Sequence, residues 1–264
     1  MTEKIRVGLS IVLLSKNEAA VVNRCLISLL GWADEIIVVD DCSVDNTVDL
    51  CKQSGCRVFV RALNNDFSNQ RNFGTQQAKG RWIFHLAPDE VLPDITKAEI
   101  SRVINSNQKF SAYNLKRLNY FLDKPLRYCG ALSWDLRLFE KDKGFFEDKV
   151  HEHLNVKGDI GFIEAEILHF AFDHVAEVIS AGNFYTDIES EQFVNENKQI
   201  SMRTIKYQLT IKSLKRFWKL YVKKQGYKDG MHGFIWCILN VIGPQMRWMK
   251  IWEKAKDSGK LIEK

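Results

Sequence analysis

Through the first third of the chain, mostly apolar runs alternate with stretches of helical period. Leu9 to Leu14 is apolar at every position but Ser10, as suits a strand buried on both faces of a parallel sheet. A helical pattern follows, with the pairs Val21/Val22, Cys25/Leu26 and Leu29/Leu30 on one face. A second strand, Ile36 to Val39, leads to a helix over Val48 to Ser54. That helix stops at Gly55, a natural residue just past a helix end. A third strand runs from Arg57 to Arg61. A further helix holds Gln70-Arg71-Asn72 and is expected to stop at Gly74, and a fourth strand ends at Leu86. This β-α-β-α-β order predicts an α/β domain with a mostly parallel, Rossmann-like sheet and right-handed crossovers.

The later pattern is different. Ala112 to Asn119 and Leu136 to Glu140 read as strands, with Trp134 a core residue or, as the alternative, a stacking surface for a sugar face. From Ser213 the period is helical again. Leu214, Phe217, Trp218, Tyr221 and Val222 share one face, and Lys215, Arg216, Lys219, Lys223 and Lys224 mostly lie elsewhere. Phe234 to Ile242 and the aromatic, basic stretch Arg247 to Trp252 complete a helical tail. The expected organisation is a domain over 1–200, divided near 100 into a nucleotide half and an acceptor half, and a basic aromatic tail over 201–264.

Charge sharpens that division. The 264 residues carry a net +5, but residues 201–264 alone hold 15 Lys/Arg against 4 Asp/Glu. A basic block interleaved with aromatics suits an anionic membrane surface. Nucleic acid is a poor fit, since no nucleic-acid motif accompanies the charge. The longest apolar run, Gly233 to Gly243, is about half the ~20 residues a spanning helix needs. Met1 to Val7 lacks the apolar core of a signal peptide, so a cytoplasmic, membrane-peripheral protein is expected. The six cysteines show no C-x-x-C spacing and read as reduced thiols rather than a zinc site.

Candidate chemistry sits where parallel sheets bind ligands, beyond the carboxyl ends of strands. Ser15-Lys16-Asn17-Glu18 follows the first strand, and Asp40-Asp41-Cys42-Ser43-Val44-Asp45-Asn46-Thr47 follows the second. Helix capping explains one such acidic loop as well as ligand binding does, but two in succession favour a ligand. The fourth strand ends at Ala87-Pro88-Asp89-Glu90, where carboxylates suit Mg²⁺ or Mn²⁺ held against a diphosphate. Arg127 and Arg137 are candidates to face phosphates. His151-Glu152-His153 lacks the zincin spacing. His169 and His174 receive no role.

The order of these motifs resembles glycosyltransferase family 2. The resemblance rests on Ser15–Glu18, Val38–Thr47, Gln70-Arg71-Asn72 and Pro88-Asp89-Glu90. It looks most like the bacterial branch that adds glucose to the lipopolysaccharide inner core, through Arg137-Leu138-Phe139, Val150-His151-Glu152-His153, Gly226–Gly230 and Gly233-Phe234. The resemblance implies a GT-A fold, a UDP-sugar donor, a divalent metal, and inverting transfer to a lipopolysaccharide-core or other surface-glycan acceptor. It implies Asp40 at the nucleotide base, Asp89 at the metal and Glu152 as catalytic base. Lys16, Asn17, Glu18, Asp41, Arg71, Arg137 and His151 are the further candidates for substrate binding. The family usually reads Asp-Ala-Asp-Glu where this chain has Ala87-Pro88-Asp89-Glu90, and often has Asp where this chain has Arg81. The alternative implied by Ala87 is an impaired relative that binds nucleotide sugars or acts as a scaffold.

Overall fold

The computed structural model describes residues 8–106, 109–148, 152–197 and 199–262. In chain order the first elements are β1 (Leu9–Ser15), α1 (Val22–Leu29), β2 (Glu35–Asp40), α2 (Thr47–Gln53), β3 (Arg57–Val60), α3 (Phe67–Gln77), β4 (Trp82–Leu86), β5 (Glu90–Val91) and α4 (Asp94–Ile104). Then come β6 (Ala112–Phe121), β7 (Lys124–Pro125), β8 (Leu132–Glu140), β9 (Gly144–Glu147), β10 (His153–Val156) and β11 (Ile160–Phe172). The rest is helical: α5 (Val175–Glu196), α6 (Met202–Tyr207), α7 (Ser213–Trp218) and α8 (Gly230–Asp257), with the short pair β12 (Ile200–Ser201) and β13 (Leu261–Ile262).

Two compact units emerge. The first comprises residues 1–118 and 133–169, the second 119–132 and 170–264. The sheet of the first unit runs in the order β3-β2-β1-β4-β8-β6-β11-β5. Its first four strands are parallel, with Ser15 opposite Asp40 and Leu13 opposite Leu86. Strand β8 then joins β4 antiparallel, as β11 joins β5. Alternate residues of β1 explain its predominantly apolar run. Leu9, Ile11 and Leu13 pack with α1 and α4, while Val12 packs on the other face with Ile37, Val39 and Phe139. Burial on both faces leaves no regular polar alternation, and the one polar exception before Ser15, Ser10, is fully buried with its hydroxyl donating to Glu35 Oε1 at 2.6 Å.

Helix α3 continues through Gly74, contrary to the expected stop. A Cβ on Gly74 would lie 2.5 Å from Val12 Cγ1 and 3.1 Å from Val39 Cγ2. The glycine is there because the helix lies directly on β1 and β2, not because the helix ends. Gly55, by contrast, does have a left-handed φ of +79° just past α2. Trp134 is not a core residue either. It is 41% exposed, edge-on to Phe162 and beneath Lys116.

In the second unit, α5 and α8 pack together through Val194, Trp248, Ile251 and Ala255. A second cluster joins Phe121, Leu126, Cys129 and Cys237 to Phe217, Leu220 and Tyr221. The apolar face read from Ser213 onward therefore splits. Phe217 and Tyr221 turn inward, while Leu214, Trp218 and Val222 stay exposed. Two π-helical turns, Gln208–Lys212 and Lys219–Lys223, interrupt the helical period and rotate the register. All six cysteines are free thiols, and five are buried.

Candidate active site

The loops after β1 and β2 are tied to each other. Asn17 has a left-handed φ of +55° and Cys42 one of +51°. Lys16 Nζ pairs with Asp41 Oδ2 at 2.6 Å, and Val44 N donates to Asn17 Oδ1 at 2.9 Å. Glu18 N donates to Thr47 Oγ1 at 2.7 Å and Ala19 N to Asp45 Oδ2 at 3.1 Å. Two spans separated by an intervening helix thus form one polar rim.

Asp40 lies behind that rim. It is fully buried; its Oδ1 accepts from Ser15 Oγ and Ser43 Oγ, and its Oδ2 accepts from Ser43 N. Three donors of the protein itself thus engage the side chain expected at the nucleotide base. Its carboxylate holds the turn at Ser43. Asp41 is similarly engaged, with Oδ1 accepting from Leu63 N at 2.8 Å.

The end of β4 differs. Asp89 Oδ2 meets His169 Nε2 at 3.1 Å, but Asp89 Oδ1 is buried with no hydrogen-bond partner among the described residues. Burial pushes the Asp89 carboxyl up. Hydrogen bonding and charge from His169, with help from Arg137, outweigh it and leave the pKa below the usual carboxylate value. Next to it, Glu90 is fully buried; its Oε2 accepts from Arg137 Nη1 at 2.6 Å and from Ala87 N at 2.8 Å. Glu90 Oε1 is a second buried oxygen without a partner among the described residues. Glu18 feels Asp89 from the rim. Burial, then repulsion from Asp89 and Asp45, raises its pKa to about 7.

Arg71 and Arg137 extend the cluster. Arg71 Nε donates to Glu152 Oε1 at 2.8 Å, and the Arg71 guanidinium interacts electrostatically with both Arg137 and Glu90. Behind it, His85 Nδ1 lies 3.5 Å from Arg71 Nη1, and His85 Nε2 lies 2.9 Å from Thr75 Oγ1. A guanidinium only donates, so Nδ1 is the acceptor and Nε2–H donates to Thr75. Burial, with Arg71 and Arg137 adding to it, keeps His85 neutral. Arg137 is held on its other side by Asp135 at 3.0 Å.

Of the residues expected from sequence, Glu18, Arg71, Asp89, Arg137 and Glu152 come together around β4 and β5. Lys16, Asn17 and Asp41 form the rim, and Asp40 supports it. His151 lies outside the described residues. His153 faces solvent beside Asp148. Sequence reading gave no role to His85, Asp135 or His169, and placed Glu90 only among the strand-end carboxylates. The signal for His169 lay in strand pairing, which sets it opposite Glu90 in the β5–β11 register.

A divalent ion fits this site. Among the described residues no three His, Cys, Asp or Glu side chains form a ready cage. Mg²⁺ and Mn²⁺, however, are commonly held by one or two carboxylates and the phosphates of a substrate. The partnerless Asp89 Oδ1, anchored from behind by His169, offers such a ligand.

A parallel half-sheet extended by antiparallel strands, with carboxylates at the strand ends, is the arrangement of a GT-A fold. The model of Glycosyl transferase family 2 matches residues 10–124 of this chain. An uncharacterized glycosyltransferase of Rickettsia typhi is 25% identical over 96% of this chain and 90% of its own length. The SPbeta prophage-derived glycosyltransferase SunS of Bacillus subtilis is 30% identical over 52% of this chain and 32% of its own. Among solved structures, S. aureus TarS 1–349 in complex with UDP-GlcNAc gives a TM-score of 0.47 at 12% identity, covering 96% of this chain and 92% of that one.

Proposed function

We propose that this glycosyltransferase moves a hexose, glucose in the first instance, from a UDP-sugar to a lipopolysaccharide-core or other surface-glycan acceptor, with inversion at the anomeric carbon. The observation that carries this reading is the linkage of Asp89 and Glu152 through Glu90, Arg137 and Arg71 at the carboxyl ends of the parallel strands. Choice of glucose and of the acceptor follows the resemblance in the Arg137–Phe139 and Glu152-His153 segments.

The rim of Lys16, Asn17, Glu18 and Asp41 receives the nucleoside, and Asp40 keeps its turn in place. Asp89 would hold Mg²⁺ or Mn²⁺ through Oδ1, with His169 fixing Oδ2. When bound, the ion supplies positive charge to the departing diphosphate. Arg71 and Arg137, both partly buried and held by carboxylates, add fixed positive charge without needing to reorganise. Glu152, oriented by Arg71, takes the proton of the acceptor hydroxyl. As that oxygen bonds to the anomeric carbon, the bond from the carbon to the UDP oxygen breaks on the opposite face. A single displacement of this kind inverts the configuration.

The helical tail rests on an anionic membrane surface and so keeps the enzyme where lipid-linked acceptors are displayed. Exposed Leu214 and Trp218 among many lysines support this. No helix among the described residues is long and apolar enough to cross a membrane.

Purified protein incubated with a panel of UDP-sugars should release UDP only when Mg²⁺ or Mn²⁺ is present. Undiminished release in excess chelator would remove the metal from the reaction. Absence of UDP binding by calorimetry at millimolar ligand would remove the donor.

A further inference from the structure

The segment from α6 to the second π-helical turn has three faces. One packs inward through Leu209, Phe217, Leu220 and Tyr221. A second leaves Tyr207, Ile211, Leu214, Trp218 and Val222 exposed, at spacings of three or four residues, with Leu214 72% accessible. Between them runs a third face bearing Lys212, Lys215, Arg216 and Lys219.

These four cations and Arg247 of α8 line a cavity of about 570 Å³. Its acidic lining residue is Glu189, which pairs with Arg247 at 3.2 Å. Lys212, Lys215, Arg216 and Lys219 have no acidic partner among the described residues. Four uncompensated charges around one concavity repel each other, and an anion entering it relieves all four at once. Surface lysines that merely solvate a helix have no reason to converge on a hollow.

The opposite walls leave room for such an anion. Gly182 of α5 and Gly243 of α8 both line the cavity, and a Cβ built on either meets nothing within 4 Å. Pro244 follows Gly243 inside α8, where it removes one backbone donor from the helix. Tyr185 and Trp248 add apolar surface. The π-helical turns Gln208–Lys212 and Lys219–Lys223 bracket the cationic row, and such turns often mark functional positions in helices.

We propose that this cavity is a phosphate-binding site that seats the headgroup phosphate of an anionic membrane lipid, while the adjoining apolar stripe enters the bilayer interface. The proposal rests on the membrane reading of the tail. Charge complementarity selects the phosphate. The exposed stripe beside the cavity selects a phosphate carried by a lipid over one free in solution. Such a site reads a particular headgroup, whereas a diffuse basic face reads only surface charge.

Sedimentation of the full-length protein with phosphatidylcholine vesicles, with and without phosphatidylglycerol, tests this. Wild-type protein should bind only the phosphatidylglycerol vesicles. K212Q/R216Q should weaken that binding at least about tenfold, while K206Q/K256Q, which removes equal charge from exposed positions outside the cavity, should weaken it about threefold or less. Gly243→Phe keeps every charge but fills the hollow, and should match the loss in K212Q/R216Q. Equal losses in the two charge pairs, or full binding by Gly243→Phe with an unchanged unfolding midpoint, would overturn the cavity and leave membrane docking standing. Wild-type protein that ignores phosphatidylglycerol vesicles at low salt would overturn both. Glycerol 1-phosphate should compete with the vesicles only weakly. Displacement of wild-type protein by micromolar glycerol 1-phosphate or inorganic phosphate would assign the cavity to a soluble ligand and overturn the lipid assignment.

Discussion

Two strand ends of the same sheet treat their carboxylates in opposite ways. After β2, Asp40 and Asp41 have all four oxygens occupied by donors from the protein itself. After β4, Asp89 and Glu90 each keep one buried oxygen with no partner among the described residues. Buried acceptors are costly to leave unmade. The first end is therefore built to be stable by itself, and the second is built for something that arrives from outside. An acidic residue at a strand end says little until its hydrogen bonds are known.

The sharpest way to break this contrast is to compare activity with stability. Glu152→Gln and Asp89→Asn should each lower turnover by roughly 10²–10⁴-fold, the range for losing a general base or comparable electrostatic stabilisation. Both should unfold within about 1 kcal/mol of wild type, because Asn can still bond His169 and Gln can still accept from Arg71. UDP-release kinetics and urea denaturation on the same preparations decide it. A large stability loss in Asp89→Asn would mean that the β4 end is as structural as the β2 end.

Asp40→Ala should show the reverse order of cause. It strips three hydrogen bonds from a fully buried carboxylate and leaves Ser43 N–H without its acceptor. A loss of about 3–5 kcal/mol is expected from removing a buried charged hydrogen-bonding group. Residual activity in the folded fraction should remain measurable. If Asp40→Ala were as stable as wild type and bound UDP poorly, Asp40 would be a ligand residue after all.

Gly74→Ala is expected to have a smaller effect. The new methyl would meet Val12 Cγ1 at 2.5 Å, inside a packed β-branched side chain. Overpacking costs about 1–3 kcal/mol, and the better helix propensity of alanine returns roughly 1. A net loss of about 1–2 kcal/mol in urea unfolding follows, with the helix shifted off β1 and Arg71 with it. A stabilised variant would show that α3 has slack against the sheet.

The parallel half was legible because each of its signals is local. Short, mostly apolar runs, a helical period and a glycine stop fix β1 through β4 almost to the residue, and the ligand loops fall at their ends. The pairing of Asp89 with His169 was not legible, since it joins residues 80 apart through a two-residue strand with no periodicity of its own. His85 was hidden for a related reason: it lies inside an apolar strand, and only the approach of α3 gives it Thr75 and Arg71 as partners. The single helical face read from Ser213 failed because only part of its apolar arc meets the core: Phe217 and Tyr221 pack inward, while Leu214, Trp218 and Val222 stay exposed. Gly74 was read by its usual role, while the demand on it comes from a valine 62 positions away.

The smallest expected effect concerns Glu18, where the two strand ends meet. Its pKa of about 7 in the folded protein lies above the ordinary 4.5, because burial and the charges of Asp89 and Asp45 disfavour its ionised form. Below pH 4.5 the side chain is protonated in both states and costs nothing. Between about 4.5 and 7 the unfolded chain gives up this proton while the folded one keeps it, so stability falls as pH rises through that window and is level above it. Glu18→Gln removes the linkage. It should therefore gain on wild type between pH 4.5 and pH 8, by about 1–2 kcal/mol once screening by solvent is allowed for. Urea midpoints at the two pH values measure the gain. Adding Mn²⁺ and UDP should shrink it, because an ion on Asp89 Oδ1 cancels the repulsion that raised Glu18. Parallel pH curves for the variant and wild type would show that Glu18 does not feel Asp89. A gain unchanged by Mn²⁺ and UDP would show that the ion binds elsewhere, and the contrast between the two strand ends would lose its chemical meaning.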